Sequence, residues 1–235
     1  MIFSRVSNEL SSRTLLILFL EFVVLVLGFF ISLQVNEWQN NRENRELELQ
    51  YLLRLESDFE NSSAALTNNI AKMETSLQKL EAGLSMLAND ARDEDDYQRI
   101  FEALQSSSIM GSFEVFFGTY EELKDTGYMR LIESTALRES LIDVRQAYLQ
   151  VSKFIPIRNL LRGNTFPVMA RYVQPQAGNR LTFDSQLVEQ DPRQLYVAMS
   201  IIRANLSYDL DDSEEVRTLV NLTLDIIRDE IALRS

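Results

Sequence analysis

The chain has 235 residues, 35 acidic against 23 basic, a net charge of −12, and neither Cys nor His. Thiol nucleophiles, disulfides, imidazole bases and the usual zinc ligands are thereby excluded, and any metal site would need oxygen ligands alone. With 7 Gly and 4 Pro, the composition favours long helices over turn-rich sheets, and the acidity opposes contact with nucleic acid.

Residues 1–13 read as a short tail carrying Arg5, Glu9 and Arg13. Leu15 to Val35 follows, apolar except for Glu21, Ser32 and Gln34. At about 1.5 Å per residue this run covers roughly 30 Å, the thickness of a bilayer's hydrocarbon core. No small-residue cleavage site follows it, so the expectation is an uncleaved transmembrane helix over 14–36, with Trp38 anchoring at the interface. The basic residues flanking the span are nearly balanced. The short leading tail favours the N-terminus in the cytoplasm and the bulk of the chain in the periplasm, anchored in the inner membrane. At about 100° per residue, Glu21, Gly28 and Ser32 lie within roughly 20° of one line. Gly28 and Ser32 form a small-x-x-x-small pair that admits a close helix neighbour. An acid this deep is costly in lipid, so the line points to a contact with a membrane helix of another protein or of a second copy.

From Asn36 to Ala91 there is no Pro, and Gly83 is the one Gly. Leu52, Leu55, Phe59, Leu66, Ile70, Met73, Leu77, Leu80, Leu84 and Leu87 recur at spacings of 3 and 4, with Ser62 filling the gap. This is a heptad seam over about five repeats, predicting one long helix over 37–91 that continues the span. Residues 92–235 then supply packing helices. Asp93 to Gln105 reads as a short helix with acids at its start. "FEVFFGTYEELKDTG" reads as a helix stopping at Gly127. "YMRLIES" reads as an extended turn, and Ser134 as the cap of a helix that Pro156 interrupts. Residues 157–173 read as helical with a bend at Pro167, and 174–191 as a loop. Pro192 opens a helix to about Leu206, and Ser213 opens the last one. The expected fold is therefore all-α: an N-terminal transmembrane helix continuing into a heptad helix, packed with shorter helices as an elongated bundle.

Two stretches carry a resemblance. "LEFVVLVLGFFISLQVNEWQNNRENRELE" is similar to the opening of an uncharacterised bacterial single-pass membrane family, through Glu21, Gly28, Leu33-Gln34-Val35-Asn36 and Trp38. "TYEELKDTGYMRLIES", residues 119–134, resembles the same family's internal Tyr-x-x-Leu-x-x-x-Gly motif. The departures are Leu20, where that family commonly has Gly, and Ser32, where Ala is usual. The family is a domain of unknown function, so the resemblance implies fold and topology without an activity.

The chemical motifs are weak. Ser76 to Lys79 matches Ser-x-x-Lys, but it lies within the heptad helix, and no Ser-Asp-Asn or Lys-Thr-Gly follows. The acids of "DARDEDD", residues 90–96, lack the central Gly of a calcium loop and read as a solvated turn. Asn61, Asn205 and Asn221 begin glycosylation patterns that matter only in a eukaryotic secretory route. One charge asymmetry remains. Residues 128–182 hold eight basic side chains, among them Arg138, Arg145, Arg158, Arg162 and Arg171, against Glu133, Glu139 and Asp143. Such a cluster either neutralises acids of the long helix or forms a basic patch for lipid head groups or an acidic partner.

The reading is a membrane-anchored helical interaction module: a scaffold, sensor or accessory subunit, not an enzyme and without cofactor. Its expected partners are the lipid bilayer and another membrane protein or a second copy, met through the span. The alternative is an envelope hydrolase working with paired carboxylates. Such sites usually carry aromatic platforms, and Trp38 at the membrane is the sole Trp.

Overall fold

The computed structural model of the chain describes residues 12–89, 92–107, 114–176 and 180–234. Side chains are described from Ile17 onward, except those of 33, 36, 175, 176 and 180. The chain divides into two units, Met1–Gln50 and Tyr51–Ser235. Most of the predicted tail, and the acids' first two residues at 90–91, lie outside the described residues.

The fold is all-α, with helices α1 (Ser12–Leu87), α2 (Glu94–Ser106), α3 (Gly118–Asp125), α4 (Thr135–Ser152), α5 (Ile155–Ala170), α6 (Ser185–Gln190) and α7 (Pro192–Arg234). A single 3-10 turn, Tyr128–Leu131, separates α3 from α4. In the first unit, α1 begins as a helix long and apolar enough to cross a membrane, and none of its most apolar stretch is buried.

In the second unit the heptad seam is the core stripe of α1. Leu52, Leu55, Phe59, Leu66, Ile70, Met73, Leu80, Leu84 and Leu87 are buried, with Ser62 among them, and Leu77 is half-buried. The seam is therefore filled from within the chain. Its lower part meets Ile100 and Leu104 of α2, and Leu195, Met199, Ile202 and Leu206 of α7. Gly83 is needed there: a Cβ would stand 2.5 Å from the Ala103 methyl. The helix ends at Leu87, slightly before the expected 91, without a glycine cap. Instead Arg92 folds back, donating from Nε to the Met86 carbonyl at 3.1 Å and from Nη2 to the Leu87 carbonyl at 2.7 Å. These are two of the carbonyls that a helix C-terminus leaves open.

Helix α7 runs antiparallel to α1. Arg228 reaches Glu60 at 2.6 Å and Glu56 at 3.3 Å, Ser63 donates to Asn221 at 2.7 Å, and Arg203 meets Glu81 at 3.4 Å. Partner numbers rise in one helix as they fall in the other, at constant register.

Four expectations are corrected. First, α7 is one helix of 43 residues, not two. Ser213 resembles an N-cap in sequence, but its hydroxyl donates to the Asp209 carbonyl at 2.7 Å, one turn back within a continuous helix. Second, 174–191 is not a loop. Val173–Gln176 and Arg180–Phe183 form an antiparallel pair, and α6 follows, capped by Asp184, which accepts from Leu187 N–H at 2.9 Å. Pro175 is tolerated because a two-stranded ribbon consists of edges. Gly178 and Asn179 lie outside the described residues. Third, residues 114–117 are not helical, so α3 starts only at Gly118. The approach to α3 is pinned to α1 by Phe116 N–H on Ser62 Oγ (2.9 Å) and Thr119 N–H on Asp58 Oδ2 (2.9 Å). Fourth, "YMRL" is a 3-10 turn rather than extended, entered through Gly127 at φ 74°, a left-handed value that glycine adopts without strain.

The remaining helices follow the sequence signals closely. Asp93 and Asp96 close a capping box on α2. Ser134 caps α4 by accepting from Leu137 N–H. Pro156 sits at the start of α5, and Pro167 is accommodated inside it.

Candidate functional site

Helix α5 presents its residues in an unusual sense. Arg158, Arg162, Thr165 and Met169 recur at 3 and 4 and point inward, while Ile157, Leu160 and Leu161 point out. Arg162 is 2% exposed, yet Leu160 is 65% exposed. The helix contains no acid, so its buried guanidinium groups must find carboxylates elsewhere, and they find them on α7.

Arg158 donates from Nη1 to Asp209 Oδ1 at 2.7 Å and from Nη2 to Asp212 Oδ2 at 2.6 Å. Arg162 donates from Nη2 to the other oxygen of Asp209. One buried carboxylate thus serves two guanidinium groups, each bond charge-assisted. Burial pulls the Arg158 pKa down, and its bonds to Asp209 and Asp212 outweigh that, leaving it above the ordinary arginine value. Arg162 Nε is buried without a hydrogen-bond partner among the described residues. The rings of Phe154 and Tyr208 each lie 5.9 Å from the Arg158 guanidinium carbon. A cavity of about 190 Å³ opens beside it, between Gln150, Phe154, Asp212 and Glu215.

Helices α5 and α7 also leave a groove of about 570 Å³, lined by Leu161, Val168, Val197, Ala198 and Ile201 and by the polar Asn164, Thr165, Asp191, Arg193 and Gln194. On α5 the charged side chains are turned inward, while Ile157, Leu160 and Leu161 are exposed.

The five arginines that the sequence groups together have separate tasks, and of these five only Arg158 and Arg162 share a partner. Arg138 donates to the carbonyls of Ile132 and Glu133 and to Thr135, holding the entry to α4. Arg145 meets Glu121 of α3 at 2.7 Å and lies over the Phe117 ring at 4.8 Å. Arg171 donates to Gln194 at 2.8 Å. The acids that these side chains meet belong to α3 and α7, whereas the sequence reading looked to the long helix.

In the first unit Glu21, Gly28, Ser32 and Trp38 are all exposed, and a Cβ at Gly28 would meet nothing within 4 Å. That line is open to a neighbour. Ser76 is buried, donating to the Lys72 carbonyl at 2.9 Å, while Lys79 is exposed. Among the described residues no group of three or more Asp or Glu side chains is placed to hold a metal ion.

Sequence reasoning missed Asp209, although a signal was present. Met199, Ile202, Leu206, Asp209, Ser213, Val216 and Val220 follow one another at 3 and 4 along α7. An acid at a core position of a heptad announces a buried counter-ion. Compared with known proteins, the chain matches no family model, no curated protein and no solved structure.

Proposed function

We propose that this chain is a membrane-anchored helical interaction module, a scaffold, sensor or accessory subunit that works by binding rather than by turnover. In this reading α1 crosses the inner membrane once, with the N-terminus cytoplasmic and the second unit periplasmic. The observation that carries it is the first part of α1, whose most apolar stretch is wholly uncovered within the chain. An exposed apolar helix of that length is stable in lipid and costly in water. Along it the line of Glu21, Gly28 and Ser32 offers close approach and one hydrogen-bonding group, which suits a second membrane helix.

The test has two parts. Fractionation should place the full chain in membranes and resist carbonate extraction, and a reporter active only in the periplasm should be active when fused after Ser235. A crosslinking assay in membranes should then show Glu21→Gln keeping association through the span while Glu21→Leu and Gly28→Ile lose it. Recovery of the intact chain in the soluble fraction would reject the reading.

A further inference from the structure

We infer that residues 155–162, the first half of α5, form a latch: a half-helix that opens from α7 as a unit, hinged at Gly163 and Pro167, while the second half of α5 stays in the core. The inference goes beyond the proposed function and rests on the second unit alone.

The first ground is what holds each half. The first half is tied to α7 by charge, Arg158 by Asp209 and Asp212 and Arg162 by Asp209. Its apolar side chains add little to that hold, since Ile157, Leu160 and Leu161 are exposed and Ile155 is half-buried. The second half is held differently. Met169 lies in the apolar core with residues of α1, α2 and α7, and Phe166 and Val168 pack against that core. Lifting the second half would carry buried apolar surface into water, at a cost proportional to its area. Lifting the first half carries no buried leucine or isoleucine with it. Arg158, Arg162 and Asp209 would instead regain hydration together, which offsets much of what the broken bridges lose.

The second ground is the joint between the halves. Pro167 lies inside the helix and has no N–H, so the carbonyl four residues back, that of Gly163, is left without its helical donor. Gly163 is itself of the residue type that weakens a helix interior most after proline. Both defects fall on one carbonyl. A Cβ at Gly163 would meet nothing within 4 Å, so close packing does not account for the glycine. Gly163, Asn164 and Pro167 are all exposed, and the joint is free to bend.

The third ground is the other end of the half-helix. Only Lys153 and Phe154 separate it from α4. The cavity of about 190 Å³ beside Arg158, between Gln150, Phe154 and Glu215, leaves that end loosely packed. A segment with a turn at one end, a weakened joint at the other and little buried apolar surface opens below the free energy of global unfolding.

Hydrogen exchange of the full chain in lipid nanodiscs, resolved along α5, tests the latch. Protection at amides 159–163 should be at least about tenfold lower than at amides 168–170. Asp209→Asn should lower protection at the first group about tenfold further and leave the second unchanged. If that variant fails to fold, Arg158→Gln, at the partly exposed margin of the network, should give the same pattern. Gly163→Ala, at an exposed position with room for the methyl, should raise protection at the first group about fivefold and again leave the second unchanged. Exchange of all of α5 as one unit overturns the inference. So does an equal response of the two groups to these substitutions, or a first group indifferent to them.

Discussion

From Tyr51 onward, α1 turns leucines, a phenylalanine, an isoleucine and a methionine inward and leaves Glu, Lys and Arg to water. Helix α5 does the reverse, with Arg158 and Arg162 inside and Ile157, Leu160 and Leu161 outside. Both repeat at 3 and 4, and both carry an apolar and a polar stripe. What separates them is the surface each meets. The seam of α1 faces apolar positions of α2 and α7, whereas Arg158 and Arg162 of α5 face the turn of α7 where Asp209 takes a core position and Asp212 stands beside it. Amphipathic period establishes that a helix has two faces. The neighbour decides which is buried.

The contrast can be broken most severely in α1. Leu66→Pro removes a fully buried leucine and interrupts a helix without other breaks. An interior proline costs about 3 kcal/mol or more, and loss of a buried leucine a further 2–5 kcal/mol. Thermal melting of the detergent-solubilised chain should show loss of the cooperative transition, and little change would mean that α1 is not a packed helix there.

The next largest effect tests the polar seam. Asp209→Ala leaves the buried Arg162 and the partly buried Arg158 without their shared carboxylate and should cost about 3–5 kcal/mol. Replacing the whole set, with Asp209→Leu, Arg158→Leu and Arg162→Met together, should recover most of that loss or exceed the parent by about 1–4 kcal/mol. Denaturant melts of the single and combined variants decide the matter. A combined variant no better than Asp209→Ala would show that the network supplies stability and not only orientation.

A smaller effect is expected on the outer side. Leu160→Gln should alter the stability of the isolated chain by less than about 0.5 kcal/mol, since the side chain is already in water. The same substitution at Leu80 of α1, which is fully buried, should cost several-fold more. Equal effects at the two positions would erase the distinction.

The smallest effect is one of pH. Glu189 has a lowered pKa because Tyr97 donates to it and, secondarily, because Arg92 does. A carboxylate with a depressed folded pKa contributes stability in full above its unfolded value, near 4.5, and loses it as pH falls through the folded value. The melting-temperature gap between the parent and Glu189→Gln should be constant above pH 5 and close on acidification below 4. A gap that widens in acid would contradict the sign. Since Arg92 also closes the C-terminus of α1, this pair tunes the end of the apolar seam rather than its middle.

The all-α fold and the extent of α1 were legible because a heptad is a local signal: Leu52 and Leu87 belong to one stripe whatever lies across from them. The acidic start of α2 and the Ser134 cap were legible for the same reason. The strand pair of Val173–Gln176 and Arg180–Phe183 was not, since Pro175 and the Gly178-Asn179 pair read as loop, and the pairing of Val173 with Phe183 joins residues that no local pattern connects. The continuity of α7 was hidden by Ser213, whose two possible bonds, at a cap or back to Asp209, look alike in sequence. The fate of the arginines was hidden by distance: Arg162 and Asp209 are 47 residues apart. No local pattern assigns one to the other, although an acid within an apolar heptad could have prompted the search.

The constant register of α1 against α7 has a consequence for how such a chain tolerates change in length. One residue inserted between Ser63 and Glu81 would rotate everything beyond it by about 100° and advance it by about 1.5 Å. The pairs Arg228–Glu60 and Ser63–Asn221 would remain on one side, while Arg203–Glu81 and the buried leucines beyond would turn away from their partners. Insertions and deletions inside either helix are therefore disfavoured together, except in steps close to a heptad. Viable length variation belongs in the connections, such as those joining α1 to α2 and α2 to α3.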